Sequence, residues 1–225
     1  RRRIEALVSS EANALKMACF FRSTAPRRKY PWGAAIIFFC LQATTAHSEP
    51  VTLLFAGDLM LADGPGRTIA AGGDPLAPFA AILNQADYRI GNLEVPVATS
   101  GKPHASKIVS FRADPRVVSA LHGRFDAVSL ANNHSGDYGH DAFVETMRHL
   151  ANAGIAYFGG GHNLAEAHRP LWIEKNGLKI AVLGYNEFKP RAFEAGASWP
   201  GVAWSEDDLV IAAIRAAKAA GANLV

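Results

Sequence analysis

Along this chain, short apolar runs alternate with longer stretches in which apolar residues return every third or fourth position. Residues 51–56 (VTLLFA) are almost continuously apolar and predict a buried strand, ended by Gly57-Asp58. Residues 75–86 carry apolar positions at helical spacing behind a proline and predict a helix. Residues 88–94 (YRIGNLE) predict a strand running into a loop, 97–108 a polar surface loop, 115–121 a short helix, and 126–131 (DAVSLA) a second buried strand. Within 140–153, Phe143, Val144, Met147, Leu150 and Ala151 share one helical face, and Gly154 caps it. A strand follows at 155–158, then three glycines. Asn176-Gly177, between the apolar runs 171–174 and 178–184, predicts a tight hairpin. Ser205 and Asp208 form a capping-box pattern ahead of a helix with Leu209, Val210, Ala213, Ile214 and Ala217 on one face. Residues 222–225 begin another strand. The alternation predicts an α/β fold with a mainly parallel sheet and one antiparallel pair. Because the chain stops as a strand begins, it also predicts a domain truncated at its C-terminus.

The first 46 residues read differently. A basic cluster (Arg27-Arg28-Lys29) precedes an apolar run at 32–43 (WGAAIIFFCLQA) and the small residues Thr44-Thr45-Ala46. That order is the order of a secretory signal peptide, cleaved after Ala46, with Met17 as the start and 1–16 as an upstream extension. The run is shorter than the roughly 20 residues that span a bilayer; left uncleaved, it would be an anchor. Either way the body, 47–225, is exported to the periplasm or the extracellular space, and it is long enough for one core.

Charge sharpens this division. The chain has net charge +3, yet residues 1–46 hold eight basic and two acidic residues and the body holds 15 basic and 18 acidic. The basic excess belongs to the leader, which argues against a nucleic-acid partner. Both cysteines, Cys19 and Cys40, lie in the leader, so the body has neither a thiolate metal site nor a cysteine nucleophile.

Three polar clusters follow predicted strands: Gly57-Asp58, Asn92-Leu93-Glu94, and Asn132-Asn133-His134 with Asp137 after it. In open α/β sheets, ligands bind outside the carboxyl ends of strands. Carboxylates, amide oxygens and imidazole there suit a divalent ion such as Mg²⁺, Mn²⁺ or Zn²⁺. Each cluster alone has a plainer reading. Gly-Asp is a common turn, Asn92 and Glu94 fit a solvated strand end, and paired Asn residues satisfy loop backbone. Recurrence at one end of successive strands favours a site. Asp137 has two readings, orienting His134 or capping the next helix. His162, after the glycines, faces the site or closes a turn. His104 is expected in solvent, and Glu187 is a further candidate for the cleft. Lys102, Lys107, Arg112 and Arg116 form a basic cluster that either meets an anionic polymer or is a solvated loop face.

The stretches LLFAGDLML (53–61), ADYRIGNLEVPV (86–97) and FDAVSLANNHSGDYG (125–139), with FGGGHN (158–163) and KIAVLGYN (179–186), resemble the CapA family. This is also called the PgsA or poly-γ-glutamate capsule synthesis family, a branch of the calcineurin-like metallophosphoesterase superfamily. The resemblance implies a metallophosphoesterase-like α/β/β/α sandwich with mixed sheets. It implies two divalent ions (Mn, Mg or Zn) and a metal-dependent hydrolase acting on an anionic polymer or phosphoester. It also implies a link to a membrane-associated capsule synthesis complex, with a non-catalytic envelope component as the alternative. Carried over residue by residue, Asp58 is a first-site ligand, Asn92 or Glu94 bridges (Glu94 as the carboxylate), Asn133 is a second-site ligand and His134 the catalytic acid. Metallophosphoesterases usually carry Asp-x-His where this chain has Asp58-Leu59-Met60. Their later His-x-Gly and His-rich segments do not occur before Val225, so the implied site is incomplete and weak metal binding is expected.

Overall fold

Four short parallel strands set the frame. The computed structural model describes residues 49–105, 107–188 and 191–225; the predicted signal segment lies outside them. In chain order come β1 (Leu53–Asp58), α1 (Asp63–Ala70), a 3-10 turn (Ala77–Phe79) running into α2 (Ala80–Leu83), and β2 (Tyr88–Asn92). A second 3-10 turn (Pro115–Val117) leads into α3 (Val118–Leu121), then β3 (Ala127–Ser129), α4 (Gly139–Asn152) and β4 (Ala156–Phe158). These strands form a parallel sheet in the order β1-β2-β3-β4. Next are β5 (Gly160–Gly161), α5 (Leu164–Ala167), β6 (Leu171–Lys175), β7 (Leu178–Val182), β8 (Gly201–Val202) and α6 (Asp207–Ala219). β6 and β7 pair antiparallel, as do β5 and β8. Among the described residues no helix is long and apolar enough to cross a membrane.

The core lies on both sides of the sheet. On one, Leu93, Val128 and Leu130 meet Val117 and Leu121 and the buried α4 face of Phe143, Met147 and Leu150. On the other, Ile90, Ala127 and Phe158 meet Ile173 and Ile180 of the hairpin. A helical layer, a parallel sheet and a second, antiparallel layer thus stack in a metallophosphoesterase-like α/β arrangement. Far from the strands' carboxyl ends, Arg89 grips Asp126 with Nε at 2.8 Å and Nη2 at 2.9 Å, fastening β2 to β3.

The predicted hairpin forms, with Asn176 and Gly177 at φ 50° and 78°, the left-handed pair that a two-residue type I′ turn needs. Other expectations change. β1 is an edge strand rather than a buried one, and Phe55 is 61% exposed. The helix expected over 75–86 shrinks to a 3-10 turn and one helical turn, because Pro78 cannot donate within it. α1 arises in a segment for which no element was predicted; Pro65 falls in the first helical turn, where its missing N–H costs nothing. The capping box before α6 is not made: Glu206 is the N-cap and makes no side-chain bond. Only Ala217 of the predicted α6 face is buried, against Ala181 and Ala222, and Leu209 and Ile214 stay exposed.

A latch on α4 fixes the chain that leaves β2. The Thr99 and Ser100 amides donate to Glu145 at 3.1 and 3.0 Å, and Val97 N donates to Thr146 Oγ1 at 2.8 Å. Burial works to raise the Glu145 carboxyl, but the bonds from Ser100 and Thr99, then His149, outweigh it and hold the group well below the usual carboxylate range. A depressed carboxyl contributes stability that is full above its unfolded value and drains away as pH falls. Glu145→Gln should therefore lower the urea midpoint at pH 7, and the gap to the unaltered protein should narrow between pH 5 and pH 3. Steric limits are just as sharp at Gly91, where a Cβ would sit 2.4 Å from Leu59 Cδ1. Gly91→Ala should cost about 1–3 kcal/mol in urea denaturation, the usual range for overpacking.

Candidate functional site

A bulge aims the first carboxylate. Phe55 pairs with Ile90 and Asp58 with Asn92, so β1 takes three steps where β2 takes two. Asn92 in turn pairs with Ser129. The three strand ends thereby bring Asp58, the Asn92–Glu94 segment and the 132–137 loop to one edge.

Amide side chains then tie the edge together. Asn92 Nδ2 donates to Asp58 Oδ1 at 2.8 Å, and Asn132 Nδ2 donates to Asn92 Oδ1 and to the Leu93 carbonyl, both at 2.9 Å. Asn132 Oδ1 accepts from the amides of His134 (3.0 Å) and Ser135 (2.9 Å). Asn132 is buried and its amide is fully used, so here the turn-closing reading of the Asn pair holds. The neighbouring Asn133 side chain makes no hydrogen bond among the described residues, while its carbonyl accepts from Lys107 Nζ.

Asp137 organises the other half. It is completely buried. Its Oδ2 accepts from Phe111 N at 2.8 Å and meets His134 Nδ1 at 2.8 Å, and its Oδ1 pairs with Lys107 Nζ. The Phe111 ring lies 5.0 Å from the His134 ring. Of the two readings of Asp137, orienting His134 is the one that stands. The residue that caps α4 is Tyr138, without a side-chain bond.

The Asp58 and Glu94 carboxyl groups lie close enough to act on each other. Burial pushes the Glu94 carboxyl up to about 7, and the Asp58 and Asp137 charges add to the rise. Asp58 is held below its usual value by bonds from Glu94 and Asn92 and by the nearby His134. The pair thus behaves as one carboxylate and one carboxylic acid near neutrality. Two carboxyl groups this close are a natural seat for a cation. Among the described residues, however, no three His, Cys, Asp or Glu side chains gather closely enough to hold a metal. The donors present are two carboxylates and amide oxygens.

Four of the five predicted site residues, Asp58, Asn92, Glu94 and His134, thus join one network, and Asn133 stands beside it. The remaining candidates resolve structurally. Arg112 donates to the Thr99 and Ser100 carbonyls and lies 4.4 Å over the Tyr138 ring; Arg116 pairs with Asp114. His162 closes its turn, its N and Nδ1 lying 3.0 and 2.8 Å from Glu166 Oε2. His104 is exposed, and its amide donates to the Asp137 carbonyl. Glu187 is exposed too. Two roles were not foreseen. Asn132 ties the second and third clusters, and Lys107 reaches the site from a loop. No local pattern signals the first, whose partners Asn92 and Leu93 lie far earlier in the chain, and a place in the basic cluster of the loop was the one signal for the second.

A parallel sheet whose carboxyl ends carry paired carboxylates and a carboxylate-held histidine, backed by a second β layer, defines a metallophosphoesterase-like α/β domain. The family model for the bacterial capsule synthesis protein PGA_cap matches residues 52–225, and the chain belongs to that family. It is similar to the PGA biosynthesis protein CapA of Bacillus subtilis (strain 168), 28% identical over 179 residues, covering 77% of this chain and 47% of that protein. It is likewise similar to the capsule biosynthesis protein CapA of Bacillus anthracis, 28% identical over 184 residues, covering 76% of this chain and 43% of the other. The chain spans about half the length of these relatives.

If Asp137 is what pins the 107–111 segment, Asp137→Asn should free it. A hydrogen bond to a charged group is worth about 1.5–3 kcal/mol, or roughly 10- to 150-fold in an opening equilibrium. Hydrogen exchange of the Phe111 amide should accelerate by that factor, while the amides of the α4 core stay protected.

Proposed function

We propose that this domain is an exported, metal-dependent hydrolase of phosphoester or γ-glutamyl bonds that works in poly-γ-glutamate capsule formation. The reading rests on one observation: the Asp58–Glu94 carboxyl pair stands at the same strand-end edge as a histidine held by a buried carboxylate. Family membership and the names of the Bacillus relatives support the capsule setting. The signal-peptide order of the first 46 residues supports export.

The donor set decides what the site would hold. Two carboxylates with amide oxygens are hard oxygen ligands, which favours Mg²⁺ or Mn²⁺ over Zn²⁺. Asp58 and Glu94 would hold the ion, with Asn133 beside them. Asn92 has its oxygen engaged by Asn132, and it orients Asp58 instead of binding. When bound, such an ion polarises the scissile group and lowers the pKa of a water nucleophile. The chain supplies the rest. With Nδ1 tied to Asp137, His134 has Nε2 left to give a proton to the leaving oxygen or nitrogen as its bond breaks. Phe111 against the His134 ring keeps water from one side.

Calorimetric titration of the protein with Mn²⁺ should show uptake that Asp58→Asn and Glu94→Gln abolish. His134→Ala should keep the uptake and lower kcat about 100-fold or more on phosphodiester or γ-glutamyl substrates, the usual contribution of a general acid. Folded protein that takes up no ion and turns over neither substrate would sink the enzymatic reading. Normal capsule with stable Asp58→Ala and Asn133→Ala proteins would favour a non-catalytic envelope role.

A further inference from the structure

Beside His134 lies a cavity of about 470 Å³. Lys107, Asn133 and His134 stand in its wall with His104, Asn132 and Asn186, and most of the remaining wall is apolar, built from Ile108, Val109, Phe188 and Phe193. Three of these apolar side chains are turned toward solvent: Ile108 is 102% exposed, Phe188 63% and Val109 52%.

Their exposure is enforced by the backbone. Lys107 and Phe111 are both bonded to Asp137, so Ile108 and Val109 form a crest between two anchored points. Opposite them, Asn186 Oδ1 accepts from Phe188 N at 3.1 Å and fixes the turn that presents the Phe188 ring. The floor is packed. Phe193 stacks on His140 at 4.8 Å and meets Phe143 edge-on at 5.3 Å. It lies over Gly136, where a Cβ would come within 2.3 Å of the ring. Pockets of this volume, mostly apolar with a few polar groups, are the usual form of a small-ligand site.

Charge selects the ligand. Lys107 is already paired with Asp137, and among the described residues no second lysine or arginine lines the cavity, so a polyanion would find no cationic groove there. A row of free carboxylates laid along Ile108 and Phe188 would lose hydration and gain nothing. An alkyl chain would instead bury apolar surface there. We infer that this cavity binds the hydrocarbon part of an alkyl-bearing anion, such as a phosphoester of an aliphatic alcohol, with its charged head at the Asp58–Glu94–His134 edge. The inference rests on the metal-site reading for the head and is independent of it for the tail.

The test compares n-octyl phosphate with methyl phosphate by calorimetry, on the protein with Mn²⁺ in excess. Octyl phosphate should bind at least ~10-fold more tightly, since each buried methylene contributes about 0.8 kcal/mol. Ile108→Ser and Phe188→Ser, at exposed positions where thermal melting should be unaltered, should each shrink that ratio toward one. Equal binding of the two phosphates, or a ratio that survives both substitutions, overturns the inference. A ratio that persists in Asp58→Asn and without Mn²⁺, yet is lost in Ile108→Ser, keeps the tail pocket and removes the metal-held head. Sedimentation with phosphatidylglycerol vesicles separates a membrane source. Ile108-dependent vesicle binding with no preference for octyl phosphate would assign the crest to a lipid surface and overturn the pocket.

Discussion

The site depends on one buried carboxylate. Asp137 has no contact with water, and an isolated charge there would be very unfavourable. It is stable because three donors converge on it: the Lys107 ammonium, the Phe111 amide and the His134 ring. Charge-assisted bonds of this kind are short and directional. Each donor comes from a different part of the problem. His134 belongs to the strand-end network, Lys107 and Phe111 bracket a loop, and the loop carries the apolar crest over the cavity. Removing the carboxylate would leave a histidine without this partner and a loop that keeps the Lys107 bond to the Asn133 carbonyl but loses both ties to Asp137.

A second constraint acts on the opposite side of the edge. Parallel pairing puts Asp58, Asn92 and Ser129 in register, and the bulge in β1 lets Asp58 reach the amide of Asn92. The amide ladder Asp58–Asn92–Asn132 then runs across three strand ends into the loop bearing His134. Glu94 completes the cluster at an energetic cost, since burial and its neighbours keep its carboxyl protonated up to about 7. Functional sites concentrate such unfavourable pairings.

Much of this arrangement was legible in the chain. The polar clusters at Asp58, at Asn92–Glu94 and from Asn132 follow from apolar runs broken by polar residues, although β3 ends at Ser129, short of the predicted Ala131, and the hairpin follows from Asn176-Gly177. What escaped had physical reasons. The bulge depends on pairing between β1 and β2, and no pattern within residues 53–58 encodes it. α1 was hidden because Gly64-Pro65-Gly66 carries turn chemistry that a helix tolerates only in its first turn. The α6 pattern reported an apolar face correctly, but periodicity says which residues share a face and not what covers it. Asp137 was ambiguous because the same residue type serves as a helix cap and as an imidazole partner; only the position of Tyr138 at the cap decides.

The strand-end edge and the cavity beside it make different chemical demands. Oxygen donors at the strand-end edge suit a hard ion, whereas the neighbouring cavity, which Asp58 and Glu94 do not line, offers Ile108, Val109 and Phe188 to hydrocarbon. A hydrophilic polyanion answers only the first demand. A ligand with a charged head and an apolar tail answers both. Lys107 is what keeps the two distinct. Its charge is spent on Asp137 and the Asn133 carbonyl, so it fixes the loop without turning the apolar wall into a cationic one.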